Sequence, residues 1–346
     1  MRRRTVLFAA AIVLIVAAGT YATNTYWKKK TVIRVFHAGS LTVPLEEIKT
    51  RFEADQKTFL RDVEVRLEPA GSVTCVQKIT ELGKEADVLA SADYTLIPKM
   101  MMPDHADWYI VFARNRMTIA YTEDSKYADE ITADNWYEIL RREDVKWGFS
   151  NPNMDPCGYR TPMVIQLAEL EYGDDSIFED LVEGHTAITV SESDGVYIIN
   201  ANTDDLQPDT KKITIRDKSV ELVSLCQTGG LDYVFEYSSV AKQHGLKYLE
   251  LPESIDLSDV AYTDTYKRVK AEKTTGTSIG KPIVYGITIP RNAPNPELAE
   301  DFVRYVINEL GQRVFTDNGQ PPIVPAVASD IDAIPESLKP LVTEKD

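Results

Sequence analysis

Cysteine and histidine are scarce in this chain of 346 residues. The three cysteines, Cys75, Cys157 and Cys226, are odd in number and widely spaced, which argues against a disulfide framework. The sequence has no CxxC pair and its four histidines are scattered, so we expect no structural zinc site. It also lacks the GxSxG, HExxH and glycine-rich phosphate-loop motifs. These absences disfavour a zinc enzyme and the commonest classes of hydrolase.

Basic residues are also fewer than acidic residues. The chain has 38 lysines and arginines against 54 aspartates and glutamates, and its net charge is −16. Nucleic acids and anionic membranes attract basic surfaces, so we expect neither as a partner. A small anion remains compatible with this charge, because backbone amides and helix ends act locally. The length allows two lobes of ordinary domain size, and 43% hydrophobic residues are typical of a globular protein.

The one long apolar run lies near the N-terminus. Arginines occupy positions 2–4 and are followed by apolar residues 6–18. This run is shorter than the roughly 20 residues of a membrane-spanning helix. We therefore predict that residues 1–30 are a signal peptide or an N-terminal anchor, and that the protein is exported and lies outside the cytoplasm at the cell membrane. The segment has no cysteine, which excludes a lipid-modified N-terminal cysteine there.

Strand-like and helix-like segments alternate along the rest of the chain, which predicts an α/β fold with a mostly parallel sheet. We predict a first lobe from residues 31–113 plus 283–346 and a second from 114–282. Crossovers are expected near residues 113–116 and within 245–282, the arrangement of a hinge around a cleft. The polar stretch 267–281 is predicted to be an exposed loop, and the proline-rich tail after Pro321 to be irregular.

Small polar residues occupy three predicted strand–turn–helix junctions, at residues 37–44, 69–73 and 150–160. Asn, Asp, Pro and Gly in a short loop favour a fixed turn. A helix that begins there presents free N–H groups and its positive end to whatever lies in front. The three junctions together predict a cradle for an anion rather than a set of catalytic acids and bases.

Several motifs match one known family in order along residues 32–325. They are FHAGSL at 36–41, AGSV at 70–73, ADVLA at 86–90, DNWY at 134–137, DPCGYR at 155–160, FEY at 235–237 and KPIVYG at 281–286. The chain resembles archaeal tungstate/molybdate-binding proteins, the extracytoplasmic solute-binding components of ABC transporters. The resemblance implies a type II periplasmic-binding fold, with two lobes that close on the oxyanion. It also implies an ABC transporter permease as partner, a monomer, and no cofactor or enzymatic activity.

The resemblance places ligand contacts at Gly39, Ser40, Ser72, Asp155, Pro156, Cys157, Ser219 and Tyr237. In the family two carboxylates approach the metal of the oxyanion, and Asp155 matches the first of them. The second is normally a Glu in an Arg-Pro-Lys-Glu turn, where this chain has Ser219. Glu221 or Glu236 could replace it, Ser219 could donate a hydrogen bond instead, or the register could be shifted.

Other interpretations of these residues stay open. Ser40 and Ser72 could be ordinary helix caps, Asp155 a turn or cap residue, and Tyr237 a core residue. At the level of function, a carrier of sulfate, phosphate or ferric ion is an alternative. A membrane-anchored hydrolase that uses Asp155 or Ser40 is the alternative from a different class. The sequence does not separate tungstate from molybdate, since no residue type prefers one.

Overall fold

The computed structural model describes residues 30–59 and 61–344. The predicted signal or anchor segment therefore lies outside the described residues, apart from Lys30. Across the described ranges, no helix has the length and apolar character needed to cross a membrane.

Strands and helices are numbered along the chain. The strands are β1 Thr31–Ala38, β2 Val63–Ala70, β3 Val88–Ser91, β4 Ile110–Arg114, β5 Met117–Tyr121, β6 Trp147–Ser150, β7 Thr189–Ser193, β8 Val196–Asn200, β9 Ile213–Arg216, β10 Tyr233–Tyr237, β11 Lys247–Leu249, β12 Val269–Lys273, β13 Gly276–Ile279, β14 Val284–Thr288, β15 Pro322–Ala328 and β16 Val342–Glu344. The α-helices are α1 Thr42–Thr58, α2 Ser72–Thr80, α3 Leu96–Met100, α4 Trp136–Arg141, α5 Pro156–Tyr172, α6 Ile177–Leu181, α7 Ser219–Gln227, α8 Ser238–Gln243, α9 Thr263–Tyr266, α10 Pro296–Ile307 and α11 Glu309–Asp317.

A seven-stranded sheet in the order β16-β15-β4-β14-β3-β1-β2 forms the first lobe. Helices α1 and α10 cover it with apolar faces, and the rings of Phe52 and Phe302 meet edge to face at 5.3 Å. Strands β1, β2 and β3 are parallel, so their carboxyl ends lie at one edge of the sheet. The turns that follow β1 and β2 therefore meet at that edge.

The second lobe contains a five-stranded sheet, β11-β5-β10-β6-β9, and a four-stranded sheet, β13-β12-β8-β7. Helix α5 is buried along most of its length, including Met163, Val164 and Ile165. It packs among aromatic residues that include Trp147 and Phe235, whose ring centroids are 5.6 Å apart. This buried helix fixes the position of the turn at its N-terminus.

Two chain segments join the lobes. Strand β4 ends at Arg114 in the first lobe, and β5 begins at Met117 in the second. The chain returns just before β14, which begins at Val284. In the first crossover, Nδ2 of Asn115 donates to Ser239 Oγ at 2.9 Å and to the Tyr285 hydroxyl at 3.0 Å. Asn115 thus links the first crossover to both lobes.

Three features of the fold differ from the sequence-based expectation. The stretch 267–281 contains β12 and β13 rather than an open loop: Val269 and Ala271 are buried, while Lys270 between them and Glu272 after them are more exposed. The tail after Pro321 forms β15 and β16. Both main sheets are mixed, because β14 returns antiparallel to β3 and β4, and β5 lies antiparallel to β10.

Candidate functional site

A cavity of about 220 Å³ lies between the lobes, and both lobes contribute to its wall. Its lining residues are Ala38, Gly39, Ser40, Ala70, Gly71, Ser72, Ala92, Asn115, Pro156, Arg160, Tyr237, Ile283 and Tyr285. They include residues from all three strand–turn–helix junctions that the sequence indicates.

The first-lobe wall is built from the turns after β1 and β2. Residues 39–41 form a short 3-10 turn that leads into α1, and the Ser40 carbonyl accepts a 2.7 Å hydrogen bond from Gln320 Nε2. Ser72 is the first residue of α2. Its Oγ accepts the N–H of Ala92 at 3.1 Å. A hydroxyl that accepts in this way can still donate its proton to a ligand.

The second-lobe junction is organised by Asp155, the N-cap of α5. Its Oδ1 accepts the N–H of Cys157 at 2.8 Å, and its Oδ2 accepts the N–H of Ser219 at 3.0 Å. The carboxylate thus joins the N-termini of α5 and α7, and Pro156 rather than Asp155 lies on the cavity wall. A capping carboxylate is favoured at both positive helix ends.

The glycine of the DPCGYR motif allows the junction to close. A Cβ atom at Gly158 would collide with the carbonyl oxygens of Ser150 and Asn151. Helix α5 can therefore begin directly against the end of β6 only with glycine at this position. The close approach places Pro156 and Arg160 at the cavity.

A buried polar cluster lies behind the second-lobe junction. Glu236 is fully buried; its Oε1 accepts a 3.1 Å hydrogen bond from Ser219 Oγ, and its Oε2 accepts a longer one, 3.6 Å, from Cys157 Sγ. Burial raises the pKa of Glu236 to about 8, and the negative charge of Asp155 acts in the same direction. The raised pKa favours the neutral carboxyl form of Glu236 near pH 7.

Five of the residues predicted from the sequence line the cavity: Gly39, Ser40, Ser72, Pro156 and Tyr237. Asp155, Cys157 and Ser219 lie in the layer behind it. The two alternative carboxylates are also off the wall, since Glu221 is exposed on α7 and Glu236 is in the buried cluster. The contact between Asp155 and a metal that the resemblance implies stays a prediction.

Arg160, Asn115 and Tyr285 line the cavity without having been singled out as ligands. The sequence contains a signal for Arg160, because this residue stands one helical turn after Pro156 and therefore lies on the same face of α5. For Asn115 and Tyr285 no local signal existed: they are 170 positions apart, and the double crossover brings them together. Burial raises the pKa of Tyr285, while hydrogen bonds with Ser40, Asn115 and Gln320 oppose that shift.

A family model described as bacterial extracellular solute-binding protein matches residues 33–320. The chain belongs to this family. The two-lobed structure with its central cavity agrees with that membership, and the expected periplasmic-binding-protein fold is confirmed. The family also places the protein outside the cytoplasm.

Relatives and a solved structure extend this result. An uncharacterized solute-binding protein of Methanoculleus marisnigri is 56% identical, over 90% of this chain and 87% of its own. The molybdate/tungstate-binding protein WtpA of Pyrococcus abyssi is 46% identical, over 92% of both chains. A substrate-binding domain ascribed to a molybdenum ABC transporter of Clostridium difficile aligns with a TM-score of 0.56 at 15% identity, over 85% of this chain and 99% of its own. At that identity the likeness concerns the fold alone.

Proposed function

We propose that this protein captures tungstate or molybdate outside the cytoplasm and delivers the oxyanion to the permease of an ABC importer. The observation that carries the proposal is the convergence of three strand–turn–helix junctions, from both lobes, on one small cavity. We further propose that the protein acts as a monomer without catalytic activity, and that its N-terminal segment is either cleaved or retained as an anchor.

The chemistry of the cavity wall suits a tetrahedral oxyanion. The Ser40, Ser72 and Tyr237 hydroxyls can donate hydrogen bonds, and helices α1, α2 and α5 begin beside the cavity. Dispersed donors and helix ends match the spread charge of such an ion. A volume of 220 Å³ lies below the roughly 300–1,000 Å³ of pockets for drug-sized ligands, which favours a small solute.

The choice of tungstate or molybdate among oxyanions is supported by the relatives. A protein named for these two ions shares 46% identity over nearly the whole chain. The same family resemblance places Ser40, Ser72 and Tyr237 among the ligand residues, and the cavity includes all three. Sulfate and phosphate are the competing ligands, because a hydroxyl-lined cradle would also accept them.

Isothermal titration calorimetry with tungstate, molybdate, sulfate and phosphate tests the proposal, together with a native mass spectrum of the tungstate complex. We expect one ion per chain. Ser40→Ala and Ser72→Ala should each weaken tungstate binding by about 10-fold, the loss expected for one hydrogen bond to a charged ligand. Ser224→Ala, at an exposed position on α7, is the matched control and should bind normally. A wild-type chain that binds none of these anions would contradict the proposal.

A further inference from the structure

Arg160 is a cation that faces the cavity without a carboxylate partner. Arg160 lines the cavity, and its guanidinium donates a hydrogen bond to the Tyr237 hydroxyl. It also lies over the rings of Tyr159 and Tyr237, at 5.2 and 5.7 Å from their centroids. Within the part of the chain that the structure describes, no carboxylate forms an ion pair with Arg160.

Two other partly buried arginines of this protein have carboxylate partners, whereas the partly buried Arg268 donates to the Gly195 carbonyl instead. Arg141 forms a 2.7 Å ion pair with Asp174, and Arg116 has Glu250 at 3.6 Å and Asp256 at 3.9 Å. A charge removed from water normally has a counter-ion, because its desolvation is costly. Arg160 lines the cavity and has no such partner, so the cavity is where a counter-ion for it can bind.

The charge of Arg160 acts on groups around the cavity. Burial raises the pKa of Tyr237 well above its ordinary value, and the charge of Arg160 opposes that shift most strongly. Burial also raises the pKa of Tyr285 in the first lobe, where the same charge is among the opposing effects. The guanidinium thus stabilises negative charge on both sides of the cavity.

We propose that Arg160 is the counter-charge of the bound oxyanion and the residue that makes the site prefer a dianion over a monoanion. The inference rests on the proposed function and adds a specificity-determining residue to it. The guanidinium presents several N–H donors in a fixed plane, and only one of them is taken by Tyr237. The remaining donors can reach two oxygens of one tetrahedral ion.

A comparison of tungstate with perrhenate separates the effect of ligand charge from the effect of ligand shape. Both are tetrahedral oxyanions of neighbouring heavy metals, but perrhenate carries a single negative charge. Arg160→Gln removes the positive charge and keeps an amide donor. We expect it to weaken tungstate binding by about 100-fold and perrhenate binding by about 10-fold or less, since the charge-assisted part of the interaction is lost. The preference for tungstate over perrhenate should therefore fall by about 10-fold.

Two variants complete the measurement. Arg160→Lys retains the charge and should keep the tungstate-to-perrhenate ratio within about threefold of wild type. Arg216→Gln makes the same change in net charge at an exposed site on β9 and should leave both affinities unchanged. Ligand-free Arg160→Gln should unfold at the wild-type temperature or above it, because a buried cation without a carboxylate partner has been removed; a purely structural arginine would lower that temperature.

An equal loss of affinity for tungstate and perrhenate in Arg160→Gln, or no loss for tungstate, would overturn the inference. If Arg160→Gln does not fold, the wild type and Arg160→Lys still decide: equal wild-type affinities for the two ions would overturn it. A wild-type chain that binds sulfate but not tungstate would contradict the proposed function instead. The ratio of the affinities for sulfate and perrhenate would then test the role of Arg160. A chain that binds no dianion would overturn both.

Discussion

The hydroxyl of Ser219 donates a 3.1 Å hydrogen bond to Oε1 of Glu236. Ser219 stands where the resembling family has a carboxylate that approaches the metal, and here its side chain is directed into the buried cluster instead. Glu236 in turn accepts from Cys157 on its other oxygen. The hydrogen bonds of both Ser219 and Glu236 are therefore directed away from the cavity wall.

The first prediction concerns pH. Burial raises the pKa of Glu236 from 4.5 to about 8. Between these values the folded protein holds a proton that the unfolded chain has released, so the free energy of unfolding falls as pH rises through this window, by at most about 1.4 kcal/mol per pH unit. Glu236→Gln cannot titrate and should lose less of this free energy between pH 5.5 and 8.5. Urea unfolding at the two pH values measures it.

Glu221→Gln is the control for that prediction, because it makes the same chemical change at an exposed position of α7. It should show the pH dependence of the wild type. The prediction is wrong if Glu236→Gln and the wild type lose equal amounts of unfolding free energy.

The second prediction concerns Asp155, whose two oxygens accept the N–H groups of Cys157 and Ser219. Asp155→Ala removes both bonds, and we expect a loss of about 1–2 kcal/mol in the free energy of unfolding. If the carboxylate also bonds the metal, as the family resemblance implies, the affinity for tungstate should fall while the affinity for sulfate is spared. Calorimetry with both anions, with exposed Asp204→Ala as control, measures the two effects. Similar losses for both anions would show instead that the carboxylate only orders the junction.

The third prediction concerns closure. The cavity wall comes from both lobes, and the chain crosses between them at residues 115–116 and again before Val284. A ligand that bonds both walls favours the conformation in which they are close. Small-angle X-ray scattering should therefore give a smaller radius of gyration with saturating tungstate than without it. An unchanged profile would point to a rigid site on one lobe.

The site residues that lie within a single strand–turn–helix junction could be predicted from the sequence. Ser40, Ser72 and Pro156 each lie where a strand ends and a helix begins, and the turn residues and helix starts are visible in the sequence. Strand periodicity also carries information about residues 236 and 237. Neighbours on a strand face opposite sides, so Glu236 and Tyr237 on β10 could not both face the cavity.

The remaining features depend on the topology of the chain or on sequence patterns that are weak. Asn115 and Tyr285 meet only because the chain leaves the first lobe and returns to it. Strands β12 and β13 were missed, since threonine, glycine and lysine conceal the alternation of Val269 and Ala271. Strand β15 was not predicted because two of its seven residues are proline, and its place beside β4 depends on contacts far apart in the chain.

The central claim is that the cleft is a tungstate and molybdate site rather than a general oxyanion site. The most direct test is calorimetric titration of the wild-type protein with tungstate and with molybdate, each alone and in the presence of saturating sulfate. We expect tungstate and molybdate to bind at least about 10-fold more tightly than sulfate, a difference of about 1.4 kcal/mol or more. Equal affinities for tungstate and sulfate, or no heat with tungstate, would contradict the account.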